Sequence, residues 1–317
     1  WSNPRQEPFG LNMLGRAFRT ASRRWPWLLA GIATFFVCLS ITAVRWHLLL
    51  KAQGLHLSTR RTWTLLFIGH FFNAFLFGAT GGDVVKAYYA ARETGHKKTE
   101  AASTVFIDRI MGLMALVLLA AIMMLSRLDL FLAETEAKAA LVFIAALAVA
   151  VVIGIGVLVS FQRLIDRFVF MQRLIETRIG GILHRIYTAF YICLSHPALF
   201  VKTFCLSFLN QALIVVMMFV LGRALLIDRP FLEFAALAPA INSIGSIPVT
   251  PGGLGLREYA AVVLLGLVGV PAAKSLALSL AMYATMLFWS LFGGLVFLFY
   301  SGGSGVKLPD ELTTEDG

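Results

Sequence analysis

Apolar runs of membrane length recur from one end of this chain to the other, and they restrict its fold more than any motif does. No water in hydrocarbon meets a free N–H or C=O, so a spanning segment must satisfy its own backbone, as a helix or a closed barrel does. A membrane helix needs roughly 20 consecutive apolar residues. Clean runs lie at 27–44, 105–125, 137–160, 197–222 and 273–300. Only 14% of the 317 residues are charged, against roughly a quarter in soluble domains, and mean hydropathy is +0.81. The fold class expected is all-α: a polytopic membrane protein with about six to eight membrane helices of that length. It is expected in a cell (inner or plasma) membrane, crossing it several times.

The basic residues fall in the breaks between these runs. The net charge of +10 is therefore read as positive-inside bias and attraction to anionic headgroups rather than nucleic-acid binding. Residues 1–26 form a basic interfacial segment with Arg5, Arg16, Arg19, Arg23 and Arg24, and 27–300 form the transmembrane domain. Within that domain 161–196 alternates arginine with apolar residues, the pattern of an amphipathic helix on a membrane surface. Residues 301–317 read as a disordered acidic tail. Arg45-Trp46-His47 reads as the end of the first span. Cys38, Cys193 and Cys205 show no metal or redox spacing and read as small buried hydrophobes.

Two stretches break the pattern. Asn242–Tyr259 carries two prolines, four glycines, an asparagine and the pair Arg257-Glu258 among apolar segments. Irregular backbone at membrane depth is tolerated only where protein or a water-filled cavity satisfies it. A fainter copy runs from Asn73 through Gly81-Gly82-Asp83 to Lys86 and Tyr88. In both, an asparagine precedes a Gly-Gly pair, a cation stands four residues after the second glycine, and a tyrosine two further on; the second copy uses Gly252, Gly253, Arg257 and Tyr259, with Pro251 before them. The breaks at 45–61, 81–104 and 161–196 are basic and 126–136 is acidic. Placing the basic breaks together on the cytoplasmic side makes 62–80 half of a re-entrant hairpin; a full crossing of 62–80 is the alternative. If both copies are hairpins, the odd number of spans between them makes them open to opposite faces. Such inverted repeats with broken helices are a recurrent transporter architecture.

The pattern suits an anion. Glycine pairs let backbone turn and a headgroup approach closely. A helix beginning after them presents free N–H groups and its positive dipole end. Lys86 and Arg257 add full charge one turn in, and ionisable groups at membrane depth are costly and functional by default. Asp83 and Glu258 are expected to pair with these cations or with Asp108 and Arg109, which open the next span. Solvated loop or interfacial anchor is the plainer reading of Lys86 and Tyr88, interhelical glue that of Asn210-Gln211, and simple packing that of His70.

Three segments together, Gly-Gly-Asp-Val-Val-Lys-Ala-Tyr (81–88), Asp108-Arg109 and Thr-Pro-Gly-Gly-Leu-Gly-Leu-Arg-Glu (250–258), resemble the lysylphosphatidylglycerol synthase transmembrane region, the flippase-like membrane family. The resemblance covers about residues 27–300. It implies an integral membrane protein of the kind that includes the lipid-flipping portion of the multiple peptide resistance factor, and a further helix upstream of residue 1. Relatives often carry arginine where this chain has Lys86, a departure that keeps charge but weakens bidentate phosphate binding. No soluble aminoacyl-transferase domain is present in the sequence, so lysyl-lipid synthesis is not implied.

The resulting expectation is a lipid translocase that moves an anionic or amphiphilic lipid between leaflets. Its substrate-binding residues would be Asn73, Gly81, Gly82, Asp83, Lys86, Tyr88, Asp108, Arg109, Asn242, Pro251, Gly252, Gly253, Arg257, Glu258 and Tyr259. Its partners would be membrane lipids, an anionic phospholipid or a polyprenyl or isoprenoid lipid, with no nucleic acid, cofactor, metal or catalytic residue. The alternatives are a lipid-binding accessory or scaffold protein for envelope biosynthesis, and a membrane enzyme acting on a lipid-linked phosphate.

Overall fold

The computed structural model describes residues 19, 21–75, 81–94, 98–167, 187, 188, 190, 191, 193, 195–247 and 254–303. The sequence expectations for 1–18, the core of 161–196, Pro251-Gly252-Gly253 and the tail from 304 lie outside the described residues, while 301–303 continue the last helix. Every regular element among the described residues is a helix: α1 (Trp25–Ala52), α2 (Thr59–Phe75), α3 (Gly81–Glu93), α4 (Lys98–Ser126), α5 (Leu128–Ala133), α6 (Thr135–Arg167), α7 (Pro197–Ala224), α8 (Phe231–Gly245), α9 (Leu256–Leu267) and α10 (Ala272–Gly303). Five of these helices (α1, α4, α6, α7 and α10) are long and apolar enough to cross a membrane. The protein is a polytopic, all-helical membrane protein.

Two boundaries differ from the sequence reading. The first span does not stop at Arg45, because α1 continues to Ala52. Leu48-Leu49-Leu50 extend the apolar run past the charge, and Leu49 and Leu50 are fully buried. Nor do Asp108 and Arg109 open a helix, since α4 begins at Lys98. At 1.5 Å per residue, Asp108 stands about 15 Å along α4. Cys205 is exposed on α7, unlike the buried Cys38 and Cys193.

The shorter helices form two antiparallel pairs. In the first, Asn73 at the end of α2 meets Gly82 at the start of α3, while Arg61 at the start of α2 pairs with Glu93 at the end of α3. In the second, Gly245 at the end of α8 meets Arg257 at the start of α9. At its other end, Arg229 before α8 meets Gly269 after α9. With 17, 13, 15 and 12 residues, these helices are only about 18–25 Å long, short of the ~30 Å hydrocarbon core.

The same order of elements occurs twice: a long helix, a pair of short helices, a long helix. The two sets exchange partners, with α1 packed along α7, α2 along α10, and α4 along α8. Small residues permit the close approaches. A Cβ at Gly31 of α1 would meet Leu221 of α7 at 2.6 Å, and one at Gly293 of α10 would meet the Phe67 carbonyl oxygen of α2 at 2.2 Å. The helix α10 is the common spine. Its C-terminal Tyr300 hydroxyl donates to Glu93 at 2.6 Å, at the open end of the α2–α3 pair. Its N-terminal Lys274 donates to the Leu226 carbonyl at 2.7 Å, at the open end of the α8–α9 pair. The two pairs thus stand on opposite ends of one helix.

Candidate functional site

The first pair builds a buried charge cluster. Gly82 touches α2 so closely that a Cβ would lie 1.8 Å from the Gly69 carbonyl oxygen, and its N–H donates to Asn73 Oδ1 at 2.9 Å. This close crossing seats α3 so that Lys86 points at α4. Lys86 Nζ lies 3.5 Å from Asp108 Oδ2, and Arg45 Nε lies 2.7 Å from Asp108 Oδ1. All three residues are no more than 6% exposed. Two cations therefore share one carboxylate, leaving a net positive charge where desolvation is expensive.

The neighbours hold that arrangement in place. Arg45 Nη1 donates to Ser207 Oγ at 2.7 Å, which ties α1 and α4 to α7. Lys86 Nζ sits 4.1 Å from the centre of the Trp46 ring, a cation–π contact worth most when desolvated. The Trp46 indole in turn donates to Thr104 of α4 at 3.2 Å. Just outside, Arg109 Nη1 pairs with Asp83 Oδ2 at 3.1 Å. Of the pairings left open by the sequence, Asp83 takes Arg109 and Lys86 takes Asp108.

The second pair builds a smaller cluster at the start of α9. Gly255 takes φ 94° ahead of the helix, a conformation open to glycine. Its N–H donates to Glu258 Oε2, so the glutamate closes its own helix end. Ser279 of α10 donates to Glu258 Oε1 at 2.9 Å and accepts from Arg257 Nε at 3.2 Å. Arg257 Nη2 also reaches Glu258 Oε1 at 3.3 Å, and its guanidinium lies over Tyr283. This cluster is electrically neutral.

Both cations therefore reach a polar residue 22 positions further on, Lys86 to Asp108 and Arg257 to Ser279. The spacing extends the duplicated pattern beyond the short motif and into the following long helix. Tyr88 and Tyr259 stand apart, 43% and 64% exposed. Asn242 lies on α8, where its backbone carbonyl accepts from the Ser246 N–H; Gly252 and Gly253, the counterparts of Gly81 and Gly82, lie outside the described residues. Gln211 donates to the Gly112 carbonyl at 3.1 Å, joining α7 to α4 as interhelical glue. The imidazole Nε2 of His70 packs 3.3 Å from the Met286 carbonyl oxygen.

Sequence reasoning missed Arg45, Ser207 and Ser279. Arg45 carried a signal in the leucines that follow it, and Ser279 carried one in the repeat spacing. Ser207 had none, because a lone serine in an apolar run is ordinary. No group of three or more His, Cys, Asp or Glu gathers among the described residues.

Comparison with known proteins places these clusters in context. The model of the lysylphosphatidylglycerol synthase TM region matches residues 7–294. A UPF0104 membrane protein of Methanothermobacter thermautotrophicus is 24% identical over 302 residues, covering 90% of this chain and 89% of the relative. A UPF0104 membrane protein of Pyrococcus horikoshii is 24% identical over 295 residues, covering 86% of each. No solved structure matches.

Proposed function

The chain belongs to the lysylphosphatidylglycerol synthase transmembrane family, and on that premise we propose that it is a lipid translocase. The cargo is an anionic or amphiphilic lipid, carried between leaflets by its headgroup. The observation that carries this reading is the pair of cations, the buried Lys86 and the partly buried Arg257, each on a short helical pair standing at opposite ends of α10.

Moving a lipid requires a polar path for the headgroup while its tails remain in hydrocarbon. In this reading each helical pair is a re-entrant hairpin that enters from one face and returns to it, and the two form an inverted repeat. A headgroup phosphate engages one cation from one side and is released to the other side past the second, by alternating access. Lys86 is the more available ligand, because its 3.5 Å contact with Asp108 is the looser of the two while Arg45 keeps that carboxylate paired. The reading is of transport rather than catalysis: Asp83, Asp108 and Glu258 are all engaged in ion pairs, which suits positioning better than acid–base turnover.

The decisive experiment is transbilayer movement of a fluorescent phosphatidylglycerol in proteoliposomes, read by quenching of the outer leaflet. Wild-type protein should accelerate exchange, and Lys86→Ala and Arg257→Ala should each abolish the acceleration. Unchanged flux in both variants would sink the assignment.

A further inference from the structure

At the α10 end remote from Tyr300, the loop joining α7 to α8 meets the loop joining α9 to α10 and lines an open cavity of about 190 Å³. Asp228, Arg229, Gly269, Pro271 and Lys274 contribute to its walls. The backbone around it is specified. Leu226 takes φ 55°, an uncommon choice for a residue with a Cβ, and Lys274 Nζ donates to its carbonyl. Gly269 takes φ 76°, and a Cβ there would stand 2.7 Å from Arg229 Nη2. Glycine thus makes room for the guanidinium.

The charges in this cavity do not cancel. Asp228 is the acidic wall residue; its side chain is 92% exposed and already held by Arg223. Among the described residues Arg229 forms no ion pair, and Lys274 meets a neutral carbonyl. The first turn of α10 adds the positive end of a 32-residue helix. Beside the polar cavity, Leu226, Phe231 and Leu232 are exposed apolar side chains. An anion with hydrocarbon attached fits both surfaces.

We infer that this cavity binds the phosphate of an anionic lipid headgroup at the membrane face. Arg229 grips phosphate oxygens as a planar fork, and Lys274 adds a compact charge. Inorganic phosphate offers the same chemistry without the chains. Lys86, Asp108, Arg257 and Glu258 take no part in the cavity wall, so the site stands or falls independently of the translocation reading.

The test is acylation of lysines by a water-soluble ester, read by peptide mass spectrometry, with protein held in nanodiscs. Three conditions are compared: phosphatidylcholine alone, phosphatidylcholine with phosphatidylglycerol, and phosphatidylcholine with inorganic phosphate. Phosphatidylglycerol should slow labelling of Lys274 several-fold while leaving the exposed Lys138 unchanged, and Arg229→Gln should remove the protection. Equal protection by inorganic phosphate assigns the site to phosphate without its lipid. Equal labelling of wild-type Lys274 in all three conditions overturns the proposal. The comparison rests on wild-type protein, so a poorly folding variant does not blunt it.

Discussion

Lys86 reaches Asp108 across 22 residues of chain, and Arg257 reaches Ser279 across the same interval. The replacement of aspartate by serine makes the two halves electrically different. The first cluster carries two cations on one carboxylate; the second carries one cation and one carboxylate, joined through a hydroxyl. In the translocase we propose, this unequal charge would give a headgroup a stronger hold on the first side than on the second.

Removing the shared carboxylate should be severe. Asp108→Asn leaves Arg45 and Lys86 buried without a counter-charge, and breaking a buried pair typically costs about 3–5 kcal/mol. Thermal unfolding in detergent should show a large loss for Asp108→Asn. In the double variant Asp108→Asn/Arg45→Gln, part of the loss should return, because one unpaired cation has gone. Additive losses would mean the two side chains do not interact.

Lys86 should behave in the opposite way. Lys86→Met leaves Arg45 and Asp108 as a neutral pair, so stability should hold or rise, while lipid flux falls to background. Lys86→Arg keeps the charge and should retain flux. A Lys86→Met protein that unfolds like Asp108→Asn would show Lys86 to be structural rather than a ligand for cargo.

These contrasts show where sequence was informative. The five long helices follow from apolar length alone, because hydrocarbon leaves the backbone one economical solution. Lys86, Arg257 and the glycine pairs stood out because charge and broken helix are costly in that setting. Partner choice was not legible. Whether Asp83 would meet Lys86 or Arg109 depends on the rotation of α3 against α4, which is set by the Gly69–Gly82 crossing. Arg45 read as the end of the first span because only the packing of α1 against α4 and α7 shows that it points inward.

That crossing gives a third expectation. Gly82→Ala would put a methyl 1.8 Å from a carbonyl oxygen and 2.6 Å from the Asn73 nitrogen, and neither backbone atom can rotate aside. Overpacking costs roughly 1–3 kcal/mol and sometimes more, so a clear drop in thermal stability is expected. Gly154→Ala, with nothing within 4 Å, is the matched control and should be neutral or slightly stabilising through helix propensity. Equal behaviour of the two variants would rule out the tight α2–α3 crossing.

The arrangement of the two helical pairs can be tested without any transport assay. Arg60, exposed at the start of α2, and Asp228, exposed before α8, mark the open ends of the two pairs. Those ends lie at opposite termini of α10, a helix of 32 residues and about 48 Å, long enough to separate them by the whole bilayer. In a cysteine-free background, Arg60→Cys and Asp228→Cys should therefore react with an impermeant maleimide from opposite sides of sealed, oriented vesicles. Positive-inside bias predicts that Arg60, near Lys51, Arg61, Arg92 and Lys98, is the cytoplasmic one. If both cysteines label from the same side, the pairs cannot be opposed hairpins, and a path that accepts a headgroup from one face and releases it to the other loses its structural basis.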